Sequence, residues 1–490
     1  MKLLLLNIIM IMGIGHVSAA HTDTLRLSKG EIDELYTQYK EPAFTYRRFK
    51  HDDIFKLLHK HQEDSVLSIV EIGKSVNLRE IYRVQYGQGP QTVMLWSQMH
   101  GDEATATMAL FDLFNFLEGK NDGFDSIRQL LKEKTSLYFI PMLNPDGAED
   151  FKRRTAMNID MNRDARAGKT VEGALLKAQA QAIQPRYAFN LHDQNIYYNI
   201  PGTATPVSIA LLAPAFNKQR DINAVRQGAM QIIAGMNRLL QQYIPQAVAK
   251  YDDEYSPRGF GDNFQSWGAS TVLIESGAYA GDPEKMEIRK LNFAIILNAL
   301  LEIAQGTYRQ YPVAEYHQLP FNASQLHDVL LRDIEVQQAD GVMQMDIAIR
   351  RSEVTRGRTF YVESAIEDLG DLQDFYGYAE TAAQGLRFVP AKHYPHLFNT
   401  IDDISKEEAF NLLKQGYAAV TVDSYAIRGI HNLPLRIFGF KSMVTAEHLN
   451  LGTEATFFLA QGDRLKYAVV NGFLIDLEQP IYADHQSVIQ

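Results

Sequence analysis

His100 and Glu103 stand three residues apart in Met99-His100-Gly101-Asp102-Glu103, directly after the strand-like run Thr92-Val93-Met94-Leu95-Trp96. Imidazole and carboxylate are two of the ligand types zinc accepts, and a catalytic zinc site takes three protein ligands and leaves one position open for water. The pair therefore reads as part of a metal site whose third ligand lies elsewhere. Alone it is weak, because a chain with 14 His and 59 Asp plus Glu can produce that spacing by chance. Further chemistry-bearing segments follow: Asn144-Pro145-Asp146-Gly147, Arg153-Arg154, Asp160-Met161-Asn162-Arg163-Asp164, Phe189-Asn190-Leu191-His192 and Val272-Leu273-Ile274-Glu275-Ser276-Gly277.

In that order these segments resemble the zinc carboxypeptidase family typified by pancreatic carboxypeptidase A, especially its compact bacterial branch, over residues 50–305. The resemblance implies one zinc ion per chain, held by His100, Glu103 and His192. It implies that Asp160 accepts the other ring proton of the first histidine, which fixes the tautomer and raises ligand basicity. Glu275 matches the general base that takes a proton from the attacking water and delivers it to the leaving amine. Arg153, or Arg154 beside it, matches the arginine that stabilises the oxyanion with a fixed cation. Asn162 and Arg163 match the pair that holds the substrate's terminal carboxylate, for which a guanidinium fork gives two-point recognition. Tyr255 falls in the stretch of the family's substrate-capping tyrosine, with Tyr251 and Arg258 as competitors, and Asp262 falls where it would line the side-chain pocket and favour a basic group.

The implied activity is that of a secreted zinc carboxypeptidase, cleaving the C-terminal residue from peptides with a free carboxylate, cell-wall peptides among them. Two alternatives stand beside it: a zinc amidase or deacylase of the aspartoacylase-like branch, and a non-catalytic peptide- or glycan-binding protein. Asn144-Pro145-Asp146-Gly147 and an export-type N-terminus favour the peptidase over the deacylase. Glu275 and Arg153, present with all three ligands, weigh against a binding protein, which has no need of a base.

The elements that must position these groups read as an α/β layer: a mixed open sheet with flanking helices, followed by a smaller β-rich domain. Strands are expected at Val66–Ile72, Ile81–Tyr86, Thr92–Gln98, Ser136–Met142, Arg186–Leu191 and Thr271–Ile274, with helices at Ala104–Leu117 and Ile222–Leu240. His100, Asn144, His192 and Glu275 then fall at or just past the carboxyl ends of strands, the edge where open α/β sheets bind ligands. After Pro312, strands are expected at Met343–Ile349, Thr359–Val362, Ala418–Val422, Leu435–Phe440, Ala455–Leu459 and Tyr467–Ile475, with one helix near Lys406–Lys414. His393 and His396 there have a metal-like spacing, although such pairs are more often ordinary loop residues.

With 490 residues, 46% hydrophobic, the chain is long enough for two domains. A net charge of −11 argues against nucleic acid as a partner, since a binder of phosphates carries a basic face. Met1-Lys2, the apolar run Leu3 to Ile14 and the exit Val17-Ser18-Ala19-Ala20 form a signal-peptide pattern that places the mature protein in the periplasm or outside a bacterial cell. No later apolar run is long enough to span a membrane. The absence of cysteine excludes disulfides, so the core alone must hold the fold. The expected organisation is a signal peptide at 1–20, a lead-in at 21–49, a catalytic domain at 50–310 and a β-rich domain at 320–490.

Overall fold

The computed structural model describes residues 24–63, 66–423, 429–439, 449–479 and 484–490, so the signal-peptide segment 1–20 lies outside the described residues. The first sheet contains β1 (Ser68–Lys74), β2 (Glu80–Tyr86), β3 (Gln91–Trp96), β4 (Thr135–Ile140), β5 (Tyr187–Asp193), β6 (Ile209–Leu212), β7 (Val248–Lys250) and β8 (Ser270–Ser276). Their order is β1-β2-β4-β3-β5-β8-β6-β7, with β4, β3, β5 and β8 mutually parallel and antiparallel pairings toward both edges. A strand buried on both faces needs apolar residues at successive positions. Val93 and Leu95 face one layer and Met94 and Trp96 the other.

Helices cover both faces: α1 (Lys29–Tyr39), α2 (His51–Glu63), α3 (Thr105–Glu118), α4 (Asp125–Lys134), α5 (Pro145–Asp150), α6 (Val171–Ile183), α7 (Ala224–Leu240), α8 (Phe260–Ser266) and α9 (Met286–Gln305). α3, α7 and α9 pack with Val93, Leu95, Phe139 and Phe189 in the larger core. α6 and α8 close the opposite face, where Trp96 stacks on Phe264 at 4.3 Å between centroids. The mixed α/β sheet with flanking helices is the expected class, and a β-rich region follows it.

That region begins with long antiparallel strands, β9 (Leu326–Gln338), β10 (Gly341–Arg356) and β11 (Thr359–Gly370), joined by β12 (Tyr376–Ala382) and β13 (Arg387–Pro390). Phe457–Gln461, Arg464–Val470 and Phe473–Asp476 extend the sheet beyond β13. The last two were expected as one strand, Tyr467–Ile475. Asn471 and Gly472 interrupt it with φ of 47° and 74°, the paired positive values of a tight hairpin turn. The expected helix is present at Lys406–Lys414 beside a parallel three-stranded sheet.

The N-terminal region and the chain after α5 both meet the long strands β10 and β11. The Arg48 guanidinium lies between the rings of Phe151 and Phe360, 4.4 and 4.3 Å from their centroids, and bonds Glu353 at 2.6 Å. Such a buried cation between aromatic faces gains from both ring quadrupoles. No helix among the described residues is long and apolar enough to cross a membrane.

Candidate active site

After β3 the backbone reverses at Gln98, a non-glycine residue with φ of 46°, and delivers His100 and Glu103 to the sheet edge. Glu103 faces two rings at once: Oε1 lies 2.7 Å from His100 Nδ1 and Oε2 lies 2.6 Å from His192 Nδ1. His192 comes from β5, whose register with β8 sets it directly opposite Glu275. The ligand atoms of His100, Glu103 and His192 lie within 4.8 Å of one another, and all three residues are buried. His100 Nε2 is 3.1 Å from Asp160 Oδ1. A ring that donates Nε2–H to a carboxylate keeps its Nδ1 lone pair for a metal. Two imidazoles and a carboxylate fit zinc, and His192 Nε2 has no hydrogen-bond partner among the described residues.

Asn144-Pro145-Asp146-Gly147 packs against the loop that carries His100. Asn144 Oδ1 caps α5 by accepting from Gly147 N at 2.9 Å, and its Nδ2 donates to Met99 O at 3.3 Å, tying α5 to the ligand loop. Gly101 must be glycine here, because a Cβ would lie 2.0 Å from the Gly147 carbonyl carbon. Asp146 is buried and accepts from Ser75 Oγ at 2.8 Å and Arg79 Nη1 at 2.7 Å. α5 ends at Phe151, in the left-handed region with φ of 51°, and the chain then presents Arg153.

Arg153, not Arg154, reaches the centre. Its Nη1 lies 3.1 Å from Glu103 Oε1 and its Nη2 3.1 Å from Asp160 Oδ2. Arg154 instead donates to the carbonyl of Asn158. Asn162 Oδ1 accepts from Phe260 N at 2.8 Å, which docks the Asp160–Arg163 turn against α8.

Burial opposes charge on His100, yet Glu103 and Asp160 outweigh it and raise the ring to about 9. For His192, burial outweighs the Glu103 carboxylate and holds the ring below the usual histidine range. Burial also opposes charge on Glu103, but the two histidines hold its carboxyl well below its usual range. Burial, then the Glu103 charge, pushes Glu275 well above the carboxylate range. Burial takes Asp262 up to about 6 although Ser256 N bonds its Oδ1 at 2.9 Å.

The groups open on a cavity of about 690 Å³, lined by His100, Glu103 and His192 at the centre, Glu275 and Arg153 beside them, then Asn162, Arg163, Tyr255 and Asp262. Tyr251 and Arg258 line it as well, so the geometry leaves both beside Tyr255. Asp160 stands behind His100. His393 lies far off in chain and sheet, bonded through Nε2 to Thr421 at 2.8 Å, and belongs to no three-residue metal cluster among the described residues. The sequence reading missed Asn190, Asn195 and Tyr198 on the cavity wall. Asn190 was accessible, because residues two apart on a strand share a face and His192 already pointed there. No short-range signal marks the other two.

Residues 56–190 match the sequence model of the zinc carboxypeptidase family. The match takes in His100, Glu103, Arg153, Asp160, Asn162 and Arg163 and stops two residues short of His192. Carboxypeptidase D of Anas platyrhynchos is 24% identical over 254 residues, 47% of this chain and 18% of its own length. The carboxypeptidase N catalytic chain of Homo sapiens is 28% identical over 142 residues, 24% of this chain and 31% of its own length. The chain thus spans less than a third of the length of these relatives. A metallo-carboxypeptidase from Burkholderia cenocepacia superposes with a TM-score of 0.44 at 17% identity, covering 53% of this chain and 70% of that one.

Proposed function

We propose, from the match of residues 56–190 to the zinc carboxypeptidase family, that the protein is a zinc-dependent exopeptidase that removes the C-terminal residue of a peptide. The observation that carries this reading is the register of β5 against β8, which sets His192 opposite Glu275 on the wall of the cavity that also receives His100, Glu103 and Arg153. His100, Glu103 and His192 would hold the metal, with Asp160 orienting the His100 ring. Zinc in such a site supplies a Lewis acid and lowers the pKa of water toward neutrality.

The chain's own groups do the rest. Glu275 accepts the proton of the attacking water and passes it to the leaving amine. Arg153 presents a fixed cation to the developing oxyanion. Arg163 and Asn162 take the terminal carboxylate, and that recognition separates an exopeptidase from a general protease. Tyr255 and Asp262 line the space for the terminal side chain. The N-terminal pattern of residues 1–20 supports export, and we assign 50–310 to catalysis and 320–490 to a β-rich domain.

The test is incubation of the purified, zinc-loaded protein with a mixed set of free-acid peptides, the same peptides as C-terminal amides, N-acyl amino acids and cell-wall peptide fragments, read by mass. Loss of one C-terminal residue from free acids alone is the expected result. Equal turnover of acids and amides removes the exopeptidase reading. Release of acyl groups makes the protein a deacylase, and no mass change at all leaves a binding protein.

A further inference from the structure

β5 runs straight from His192 into the segment 194–199, which has no helix or strand of its own. One set of its side chains faces the cleft: Gln194, Asn195 and Tyr198 line the cavity, and the Tyr198 ring meets Tyr251 edge-on at 5.8 Å. The segment is also held by the β-rich half. Asn322 Nδ2 donates to Gln194 Oε1 at 3.0 Å, and Tyr378 Oη donates to the Ile196 carbonyl at 2.5 Å. Asn199 and Ala323 exchange backbone bonds of 2.8 and 3.0 Å, and Gln325 N donates to Asn199 Oδ1 at 3.0 Å.

Tyr197 is the centre of this attachment. It is 7% exposed, its hydroxyl lies 2.5 Å from Asp328 Oδ2 and 2.6 Å from the Arg351 carbonyl, and Leu326 N donates to its carbonyl at 3.2 Å. Asp328, 6% exposed, is itself fixed by Arg351 through N at 2.7 Å and Nη2 at 2.9 Å. The Arg350 guanidinium covers the Tyr197 ring at 4.5 Å. A buried carboxylate with every bond directed at one tyrosine and one arginine is a fixed point, since leaving it unpaired is expensive. A loop tied to such a point loses the freedom to fold away from the cleft.

We propose that Tyr197 and Asp328 are positioning residues for substrate binding, through which the β-rich half holds Asn195 and Tyr198 against the peptide. This rests on the peptidase reading for its kinetic consequence. Gln194 N, on the Ser276 carbonyl at 3.0 Å, continues the β5–β8 pairing, but Asn195 and Tyr198 lie beyond that bond, so their loosening raises KM and leaves kcat in place.

The experiment compares the full-length zinc-loaded parent with Tyr197→Phe, Asp328→Ala and Asp328→Asn, measuring peptide kinetics, zinc content and amide hydrogen exchange over 194–199. Tyr197→Phe and Asp328→Ala should each speed exchange in the loop about tenfold and raise KM about tenfold, with kcat within about twofold and zinc unchanged, the scale of one lost buried hydrogen bond. Asp328→Asn keeps an acceptor for the Tyr197 hydroxyl and should recover most of the parental KM. Parental loop exchange in both disruptive variants overturns the proposal. So does a loosened loop with parental KM, or a fall in kcat at constant KM. If Asp328→Ala does not fold, Tyr197→Phe carries both readouts. An inactive parent refutes the peptidase reading alone, and the exchange measurement then still decides whether the β-rich half holds the loop.

Discussion

Two clusters of buried charge occupy the first layer, and they are built on opposite terms. Asp112 on α3 and Arg289 on α9 are both fully buried, joined by Nε to Oδ2 at 2.8 Å and Nη2 to Oδ1 at 2.5 Å. The three remaining guanidinium donors meet the carbonyls of Phe44 at 2.9 Å and Glu41 at 2.8 Å and the Met286 sulfur at 3.7 Å, and Glu41 N returns a bond to Asp112 at 2.7 Å. Nothing is left over. At the sheet edge, one carboxylate serves two rings, His192 Nε2 has no partner among the described residues, and Glu275 faces the cavity. Burial of charge therefore does not mark function. Charge that is buried, incompletely paired and turned toward a cavity does.

The largest effect that sharpens this contrast is chemical. His100→Ala removes one of three candidate ligands, so stoichiometric zinc should be lost by metal analysis, and with it all peptide turnover. Undiminished zinc would break the ligand assignment. Glu275→Gln keeps the size of the side chain but cannot take a proton at neutral pH, so kcat should fall about 10²–10⁴-fold with zinc retained. A folded, zinc-loaded variant with near-parental kcat would show that another group accepts the proton.

The saturated cluster should respond in stability instead. Asp112→Ala strands the Arg289 guanidinium in the core, so unfolding free energy should drop by about 3–5 kcal/mol, measured by urea denaturation. Per-site activity of the folded fraction should stay at the parental level. A loss of kcat in that fraction would mean that the two clusters are coupled and that the contrast is false.

How far the sequence displays this difference depends on the length of the signal. The candidate ligands were legible because each sits in a short string at the end of an apolar strand, as with Leu95-Trp96 before His100 and Phe189–Leu191 before His192. β6 and β7 were not, being only four and three residues long. α9 escaped notice for the opposite reason. Buried on almost every side from Leu291 to Leu301, it shows no polar face and so no helical period. Adjacent Arg153 and Arg154 cannot be told apart by type, and the left-handed Phe151 that aims one of them at Glu103 is a property of the fold. Asn471-Gly472 did carry a turn signal, and the β-branched and apolar residues on either side masked it.

A smaller change tests the cleft's recognition. Arg163 lines the cavity with its Nη1 on the Asn162 carbonyl at 2.9 Å. Arg163→Ala should cut kcat/KM for free-acid peptides about tenfold to a hundredfold and bring it toward the value for amides, the range of a charge-assisted hydrogen bond. Arg163→Lys should recover only part, since an ammonium is a single point charge. An unchanged preference for free acids would move carboxylate recognition to Arg258.

The smallest effect concerns what it costs to keep a carboxyl in the cleft without a cation paired to it. Asp262 titrates near 6 in the folded protein because burial disfavours its charge, against an ordinary value of about 3.9 in the unfolded chain. The native state therefore binds the proton more tightly, and between these two values it carries more protons than the unfolded state. Stability from this group is fully present below pH of about 4, falls as pH rises toward 6, and stays low above that. Asp160 runs the other way, its folded pKa being depressed, so its contribution is lost as pH falls. Asp262→Asn preserves an acceptor for Ser256 N and removes the charge, so it should be more stable than the parent by about 1–2 kcal/mol at pH 7, with the advantage vanishing near pH 4. Urea denaturation of both proteins at pH 7, 5.5 and 4 reads the difference. A gap independent of pH would mean that Asp262 ionises freely, and that the cleft's unpaired acids are as well accommodated as the Asp112 pair in the core.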